Sequence, residues 1–384
     1  MRILIAPDSF KECLSAAEVA RNIAIGISRV MPDAKITSIP IADGGEGTVE
    51  ALITATNGSM VAVDSVDALM RPVQSFYGIL GDGKTAVIEM AAASGLGLLA
   101  NSERNPLITS TFGTGLLIKT ALEHGYTNII LGIGGSATND AGVGMAQALG
   151  FCFLDKENNE LPPGGGSLNK LKFFNSTNAN PLLKFATIRV ACDVNNPLCG
   201  ENGASAVYGP QKGATPEMVK MLDNNLLHFS EIIKNQLGKD VALMPGSGAA
   251  GGLGAGLLAF TNATLQPGFE IIKNITNLES HIQQADLIYT AEGKIDSQTQ
   301  YGKTPFGVAQ IALKYKLPVI ALAGVIGEGA EILYEKGITS IFALADKPMS
   351  IEDSILDAGI LLQNIAERSF RLFSFKNKYL NFQL

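Results

Sequence analysis

A glycine-rich stretch, LGIGGSATNDAGVG at residues 131–144, constrains the fold more than any other part of this sequence. Residues 127–131 are apolar and β-branched, which predicts a buried strand, and residues 140–149 space their apolar side chains as a helix does. A strand that turns through glycines into a helix leaves backbone N–H groups bare, and such groups suit a phosphate. The residues that we expect near a phosphate are Gly134, Gly135, Ser136, Asn139 and Asp140.

Two other interpretations of this stretch are open. One is a tight turn from strand to helix that binds nothing. The other is a dinucleotide site, because Gly132, Gly134 and Ala137 fit G-x-G-x-x-A and the following run FCFLD ends in Asp155. In that fingerprint a carboxylate about 20 residues further on holds the ribose. This second interpretation predicts a nicotinamide-dependent hydroxy-acid dehydrogenase.

Composition excludes several classes of partner. The 384 residues carry a formal net charge of −7 and no block of Lys and Arg, so a nucleic-acid partner is not expected. The four cysteines form no C-x-x-C pair and are expected to be reduced thiols in the cytoplasm. The uncharged run at residues 241–269 contains Pro245 and many glycines, which favours a loop and a buried helix over a membrane span.

The two ends of the chain share an alternation of strand and helix patterns that the middle lacks. Near the N-terminus, apolar runs at 2–6 and 35–42 each precede a helical pattern, the first of which opens with Ser15 and Glu18 as a capping box. Three strand-like runs with short links follow, at 59–66, 73–80 and 85–90. From Asp286 strands and helices alternate again, so both ends are expected to be doubly wound, with breaks near residues 68 and 285.

Acidic residues recur where the apolar strands end. In parallel sheets, ligands bind outside the carboxyl ends of the strands. Acids repeated at that edge predict a cleft for cations or hydroxyl groups, such as Mg²⁺ held between carboxylates and the phosphates of a nucleotide. The acids in question are Asp8, Asp43, Glu89, Asp193 and Glu292.

A second glycine-rich loop, PGSGAAGGLGAG, carries G-x-G-x-x-G at Gly246, Gly248 and Gly251. Two such loops and a rim of acids suit a nucleoside triphosphate with its metal better than a hydride-transfer cofactor. Neither loop is a Walker A motif. The segment 302–304, GKT, resembles the end of one, but Ser297 stands where its first glycine belongs. The H-R-D and D-F-G motifs of protein kinases are also missing from the sequence.

Several long segments, in order, resemble the type I glycerate kinase family. They run nearly end to end, from Met1 to about Leu362, with one departure at Cys13, where the family usually reads F-K-G-S. The segments are APDSFKECLSAAEVA, PIADGGEGTVEAL, TSTFGTGLLIKTALEHG, IGGSATNDAGVGMAQALG, ACDVNNPLCGENGASAVYGPQKGA, PGSGAAGGLGAGLLAF and AEGKIDSQTQYGKTP.

The resemblance implies ATP-dependent phosphorylation of D-glycerate, usually at the 2-hydroxyl; the same reaction giving 3-phosphoglycerate is the alternative product. It also implies an α/β fold of two domains. Residues 1–68 and 285–384 would form a Rossmann-like domain with a parallel sheet, residues 69–284 an inserted α/β domain, and the cleft between them the active site. The expected partners are D-glycerate and ATP, with Mg²⁺, and without nucleic acid or membrane; self-association is left open.

Roles for single residues follow from charge and position. Asp193 is expected to accept the proton of the glycerate hydroxyl or to hold Mg²⁺, with Asp43 as a second metal ligand. Lys11 and Arg71 are candidates for the glycerate carboxylate, since a buried carboxylate needs a cationic partner. Asp8 and Lys11 are also expected to be catalytic, and Ser9, Asp43 and Glu292 to bind the substrate, with Asp8, Asp43 and Glu292 completing the polar rim. Gly248 and Gly251 are expected to assist in binding ATP.

Overall fold

The chain folds into two compact units in the computed structural model, which describes residues 1–11, 13–42 and 44–379, with side chains as far as residue 374. The first unit comprises Met1–Asp43, Glu50–Thr56 and Phe269–Leu384. The second comprises Gly44–Val49 and Asn57–Gly268. Both ends of the chain therefore build one unit and the middle builds the other, as the α/β fold class with an inserted domain predicts.

Strands of the described residues form two main sheets and one small sheet. They are β1 (Arg2–Ile5), β2 (Lys35–Ser38), β3 (Ser59–Val66), β4 (Pro72–Ile79), β5 (Thr85–Glu89), β6 (Asn128–Gly132), β7 (Cys152–Leu154), β8 (Phe173–Asn175), β9 (Thr187–Ala191), β10 (Ala263–Gln266), β11 (Leu287–Ile295), β12 (Val319–Ile326) and β13 (Ser340–Ala343).

Helices occupy most of the connections between these strands. They are α1 (Ala16–Ser28), α2 (Thr48–Thr56), α3 (Ala91–Ser94), α4 (Phe112–Glu123), α5 (Val143–Ala148), α6 (Ala204–Tyr208), α7 (Pro216–Leu237), α8 (Ala249–Phe260), α9 (Gly268–Ile275), α10 (Leu278–Gln284), α11 (Thr304–Lys314), α12 (Ile351–Leu356) and α13 (Ala358–Tyr379). Short 3₁₀ segments add to them, among which Pro210–Lys212 matters for the site.

The sheet of the first unit has the strand order β13-β12-β11-β1-β2, and every neighbouring pair is parallel. Helix α1 begins with the predicted capping box, in which Ser15 accepts from the backbone of Glu18 and the Glu18 side chain accepts in return. Since β1 and β11 are parallel neighbours, with Ile3 opposite Leu287, the residues that follow them meet at one edge of the sheet.

The sheet of the second unit has the order β10-β9-β6-β5-β4-β3. Strands β10, β9, β6 and β5 are parallel, and the meander β3-β4-β5 is antiparallel, which explains the predicted strands that no helix separates. The chain enters this unit before the expected break near residue 68, because β3 pairs with β4 along its whole length. It returns to the first unit at Phe269, within α9 and before the expected residue 285.

The uncharged run at residues 241–269 is a loop followed by the buried helix α8, as predicted. The side chain of Phe260, at the end of α8, packs against the rings of Phe151, Phe153 and Phe174 with centroid distances of 5.1–5.3 Å. Within the described ranges, the chain contains no helix with the length and apolar character needed to cross a membrane.

Candidate active site

The loop that follows β6 does not lead directly into a helix. Helix α5 begins at Val143 rather than at the predicted Asp140, because Ala141 and Gly142 adopt left-handed backbones with φ of 55° and 72°. Residues 134–136 therefore lie well before the helix, and α5 has six residues. The expectation that this loop places a phosphate at a helix N-terminus is wrong, so any affinity for anions must come from the loop itself.

Backbone hydrogen bonds hold the loop against the segment that follows α3. The Gly135 carbonyl accepts from the Leu96 N–H at 2.8 Å, and the Ala137 N–H donates to the Ser94 carbonyl at 2.9 Å. The loop is therefore fixed on both sides of Ser136.

Two glycines of the loop are required by close packing on the backbone of residues 44–45. A Cβ on Gly132 would lie 2.4 Å from the Gly44 oxygen, and a Cβ on Gly134 would lie 2.7 Å from the Gly45 Cα. The Gly134 N–H donates to the Gly44 carbonyl at 3.2 Å. These glycines therefore pack the loop tightly on the main chain.

Gly135 and Ser136 keep bare backbone donors at the tip of the loop. Gly135 is exposed and has a left-handed backbone with φ of 72°. Within the described part of the chain, the N–H groups of both residues donate to no acceptor. Successive unused N–H groups beside a left-handed residue form a concavity that suits an anion. We call residues 134–136 the anion turn.

A buried lysine supports the anion turn from inside the protein. Lys212, at the end of the 3₁₀ segment Pro210–Lys212, is 1% exposed. Its Nζ donates to the Ser136 Oγ at 2.6 Å and to the Thr138 carbonyl at 2.7 Å. Burial lowers the pKa of the Lys212 amine to about 7, although the charge of Asp140 opposes that shift. Lys212 was not among the residues predicted from the sequence, although its motif, YGPQKGA, belongs to one of the segments that carry the family resemblance.

Asp140 organises the loop by accepting hydrogen bonds. Its carboxylate accepts from the Thr111 N–H and hydroxyl at 2.8 and 2.9 Å, and from the N–H groups of Gly142 and Gly144 at 3.1 and 3.2 Å. Burial raises the pKa of Asp140, while the hydrogen bonds from Thr111 and the two glycines act in the opposite direction. These contacts join the loop to the start of α4, which gives Asp140 a structural function.

Asn139 is fully buried and joins the same loop to α6. Its amide and the Ser205 hydroxyl form hydrogen bonds of 3.2–3.3 Å. The structure thus gives Asn139 a contact inside the protein, and its contact with phosphate stays a prediction.

The second glycine-rich loop packs behind the first. A Cβ on Gly248 would lie 2.1 Å from the Pro197 oxygen, and a Cβ on Gly251, where φ is 67°, would lie 1.9 Å from the Thr138 oxygen. Both glycines are buried. Their requirement for glycine is explained by contact with protein backbone, so the structure gives them a packing function in place of the expected contact with ATP.

Asp193 is exposed and lies two residues after the end of β9. Its Oδ1 accepts from the Gly268 N–H at 2.8 Å, at the first residue of α9. Asp43, the other predicted metal ligand, lies outside the described residues. In the ranges that are described, His, Cys, Asp and Glu nowhere form a group of three able to hold a metal ion. Mg²⁺ is commonly held by one or two carboxylates together with substrate phosphates, so an exposed carboxylate such as Asp193 fits that need.

The predicted acids of the first unit meet at the carboxyl edge of its sheet. Asp8, after β1, accepts from the Ser9 N–H at 2.7 Å and from the Thr304 hydroxyl at 2.8 Å. Glu292, in β11, forms an ion pair of 2.6 Å with Lys303. In the sequence, Lys303 and Thr304 stood out only because the segment 302–304 resembles the end of a Walker A motif. In the structure, Lys303 pairs with Glu292 and Thr304 donates to Asp8.

Lys11 belongs to the same edge of the sheet. It is exposed, and its backbone nitrogen lies 3.9 Å from the position of a Cβ on Gly293, the residue after Glu292. The structure thus brings Asp8, Ser9, Lys11 and Glu292 together within the first unit.

Arg71 belongs to the second unit and is already paired. Its Nε lies 2.6 Å from the Asp67 carboxylate, and its Nη1 lies 2.6 Å from that of Glu103. The hydrogen bonds that the guanidinium donates to Glu103 and Asp67 raise its pKa further above the ordinary value. The guanidinium of Arg71 therefore holds two segments of this unit together. A substrate carboxylate would have to compete with Asp67 and Glu103 for it.

The geometry overturns the dinucleotide interpretation. Asp155 lies in the hairpin between β7 and β8, where its Oδ1 accepts from the N–H groups of Glu157 and Asn159 at 2.8 and 2.9 Å. These two strands form a separate antiparallel sheet. The strand that follows β6 in the main sheet is β9, so Asp155 is not at the place where the fingerprint requires a carboxylate.

Comparisons with known proteins show similarity to glycerate kinases. A sequence model of the glycerate kinase family matches residues 3–374. A glycerate kinase of Halalkalibacterium halodurans is 50% identical over 98% of this chain and 99% of its own length. A glycerate 2-kinase of Escherichia coli is 51% identical over 93% of this chain and 94% of its own length.

A solved structure is similar over almost the same extent. The crystal structure of a protein assigned as glycerate kinase 2 in Salmonella typhimurium LT2 superposes with a TM-score of 0.88 at 46% identity, covering 98% of this chain and 99% of that one. The similarity therefore extends over residues of both units. On these grounds the chain belongs to the glycerate kinase family and is an enzyme, a kinase.

Proposed function

We propose that this chain transfers the terminal phosphoryl group of ATP to the 2-hydroxyl of D-glycerate and so produces 2-phosphoglycerate. The substrate is supported by the glycerate kinases that share half of its residues, and the position by the relative named glycerate 2-kinase. The observation that carries the use of a nucleotide is the anion turn, with bare N–H groups at Gly135 and Ser136 and the buried Lys212 behind it.

Phosphoryl transfer asks a protein chiefly to position the reactants and to stabilise negative charge. In the second unit, the N–H groups of Gly135 and Ser136 would donate to phosphate oxygens of ATP. Asp140, Asn139, Gly248 and Gly251 would keep the turn in shape without touching the nucleotide. Preorganised donors of this kind lose little free energy to reorganisation when charge develops.

The metal belongs to the same proposal. When bound, Mg²⁺ would neutralise part of the negative charge of the phosphates. Asp193 is the residue that would hold it, with Asp43 as the second candidate. Asp193 serves alternatively as the group that accepts the proton of the glycerate hydroxyl, because its carboxylate is exposed at the end of a strand.

In the first unit, the acidic edge offers groups for a small hydroxy acid. We propose that Lys11 binds the glycerate carboxylate and that Ser9, Asp8 and Glu292 contact its hydroxyl groups or the residues that hold them. Arg71 is less suited to the carboxylate, since Asp67 and Glu103 already take its guanidinium. Fixing the carboxylate selects which hydroxyl faces ATP, because geometry rather than intrinsic reactivity decides between two alcohols.

A coupled assay tests the product. Enolase alone converts 2-phosphoglycerate to phosphoenolpyruvate, whereas 3-phosphoglycerate needs a mutase first. With magnesium-ATP and D-glycerate, we expect a signal with enolase alone. A signal that appears only after mutase is added would identify 3-phosphoglycerate as the product, and no release of ADP with D-glycerate would contradict the proposal as a whole.

The setting of the reaction is also proposed. We infer that the enzyme acts in the cytoplasm on two small molecules, without a nucleic-acid or membrane partner. The cysteines of the described residues are all free thiols, in keeping with a reducing compartment.

A further inference from the structure

We propose that Lys212 is a proton-linked counter-charge for the nucleotide: its amine binds a proton when a phosphate group occupies the anion turn. The inference rests on the proposed function, since it requires a phosphate at Gly135 and Ser136. It adds a residue that acts from inside the protein, through Ser136, and a dependence of nucleotide binding on pH.

The hydrogen bonds of Lys212 match a neutral amine. Such an amine has two N–H bonds, and the Nζ donates two hydrogen bonds, to the Ser136 hydroxyl and to the Thr138 carbonyl. Protonation adds a third N–H, whereas the described residues accept two hydrogen bonds from this amine. Among those residues no other Lys or Arg is buried. A buried, uncompensated ammonium is costly, so the unliganded protein favours the neutral form.

The position of this amine is fixed by its neighbours. Gly213, the next residue, has a left-handed backbone with φ of 89°, and a Cβ there would lie 2.3 Å from the Arg104 carbonyl oxygen. The residue after Lys212 therefore packs closely on the Arg104 backbone, next to the amine that contacts Ser136. Because the Ser136 oxygen accepts from Lys212, its own O–H is left to donate elsewhere, which suits a phosphate oxygen at the turn.

The charged and titratable groups around Lys212 are few. Asp140, from the loop after β6, is the group whose charge favours the ammonium. Arg104, from the segment before α4, approaches Gly213 with its carbonyl and its Cβ, and its guanidinium Nε is buried without a hydrogen-bond partner among the described residues. Tyr208, the ionisable residue of α6, donates its hydroxyl to Asn196 at 2.8 Å. With a pKa of about 7, the unliganded amine is largely neutral at pH 8. A multiply charged phosphate nearby favours the ammonium and raises that pKa, so binding takes up a proton.

Calorimetry measures this proton directly. Magnesium-ADP is titrated into the full-length protein at pH 8 in two buffers that differ in ionisation enthalpy, and the difference in heat gives the number of protons taken up. We expect about 0.5 to 1 proton per ADP for the wild type, from a shift across the working pH. Lys212→Met should bind ADP more weakly and take up close to none.

Lys239→Met is the matched control. Lys239 lies in the same unit and donates to the carbonyls of Leu258 and Ala259 at 2.8 and 3.0 Å, but it is exposed. This variant also loses two bonds from lysine to backbone, and it should keep the proton uptake of the wild type. Lys212→Arg, which retains its charge at all working pH values, should bind ADP without uptake.

A second measurement does not depend on any variant. Because binding takes up a proton, the ADP dissociation constant of the wild type should rise by up to about tenfold per pH unit between pH 8 and pH 9. Binding of ADP with no proton uptake, a dissociation constant that does not change with pH, or uptake that persists in Lys212→Met would overturn the role of Lys212 and leave the kinase proposal intact. Failure of ADP to bind at all would reject the nucleotide site itself, and with it this inference.

Discussion

Asp140 and Lys212 are buried ionisable residues near the same loop, and each forms hydrogen bonds of a different kind. Asp140 accepts four hydrogen bonds from residues 111–144, and Lys212 donates two. Buried polar groups need such partners, because an unsatisfied group costs several kcal/mol at most sites. Some of the residues that sequence patterns single out for chemistry therefore hold the site in shape instead.

Asp193→Asn tests the predicted acid at the level of one residue. The asparagine keeps an oxygen that can accept from the Gly268 N–H, so the fold should be retained. We expect turnover with D-glycerate to fall by about 10²-fold or more, as for a lost acid–base or metal-positioning group. The measurement is steady-state release of ADP. Asp155→Asn, in the β7–β8 hairpin, is the matched control and should retain wild-type turnover; near-normal turnover of Asp193→Asn would remove Asp193 from the chemistry.

Arg71→Met separates a structural role from substrate binding. Asp67 is 5% exposed and would lose its cationic partner, so the free energy of unfolding should fall, and by more than in the control below. Denaturant unfolding measures the loss. Arg368→Met, whose pair with Asp346 spans 3.5 Å and is more exposed, should change stability by less than about 0.5 kcal/mol. If Arg71→Met keeps its stability and instead raises the KM for glycerate and releases both phosphoglycerates, then Arg71 binds the carboxylate.

The element that defines the proposed nucleotide site is the connection from β6 to α5. The alternation of strand and helix is ordinary for an α/β unit, but residues 133–142 of this connection are an irregular loop. Backbone bonds to Ser94 and Leu96 fix it on one side, and packing on Gly44 and Gly45 fixes it on the other. A rigid loop with two unused donors can bind an anion without help from a helix dipole.

Gly135→Val tests this loop as an element. Valine is disfavoured at a φ of 72°, its Cβ would lie 3.3 Å from the Ala91 Cβ, and its side chain would occupy the turn. We expect ADP affinity to fall by more than about tenfold while glycerate binding changes by less than about twofold, from the steric block alone. Calorimetry with each ligand measures both.

Gly83→Val controls for backbone strain in that experiment. Gly83 also has a left-handed backbone, with φ of 64°, but a Cβ there meets nothing within 4 Å. It lies in the β4–β5 hairpin, away from the anion turn along the chain. Equal loss of ADP affinity in both variants would show that strain, rather than the anion turn, accounts for the effect.

At the scale of the whole molecule, the chain builds two units with separate hydrophobic cores. The core of the second unit includes Leu131, Val190 and Phe260, and one core cluster of the first includes Ile5, Tyr289 and Leu322. The proposed nucleotide groups lie in the second unit and the proposed glycerate groups lie mainly in the first. Each ligand should therefore protect backbone amides in a different unit.

Amide hydrogen exchange with mass spectrometry tests this division. Magnesium-ADP should slow exchange in peptides that cover residues 133–138 and 209–213, because the bare N–H groups of the anion turn gain acceptors. D-glycerate should slow exchange in residues 6–11 and 290–304. The β7–β8 hairpin should be unchanged by either ligand, which serves as the internal control. Protection of residues 290–304 by ADP alone would contradict the assignment of the nucleotide to the second unit.

Sequence by itself determined the features that depend on local patterns. The capping box at Ser15 and Glu18, the meander of β3 to β5, and the buried helix α8 all follow from spacing and composition within a few residues. Parallel strands align their carboxyl ends, so the meeting of Asp8 and Glu292 also followed from the order of elements. The ordered motifs determined the family in the same way.

Only the tertiary structure decided which residues complete the site. Lys212 reaches Ser136 across 76 positions of sequence, and Thr304 reaches Asp8 across 296, so no local pattern could pair them. The same holds for Gly251, which needs to be glycine because Thr138 packs on it, and for Asp155, whose strand belongs to a separate small sheet. The physical reason is that hydrogen bonds and van der Waals contacts depend on distance in space, and folding sets that distance largely independently of separation along the chain.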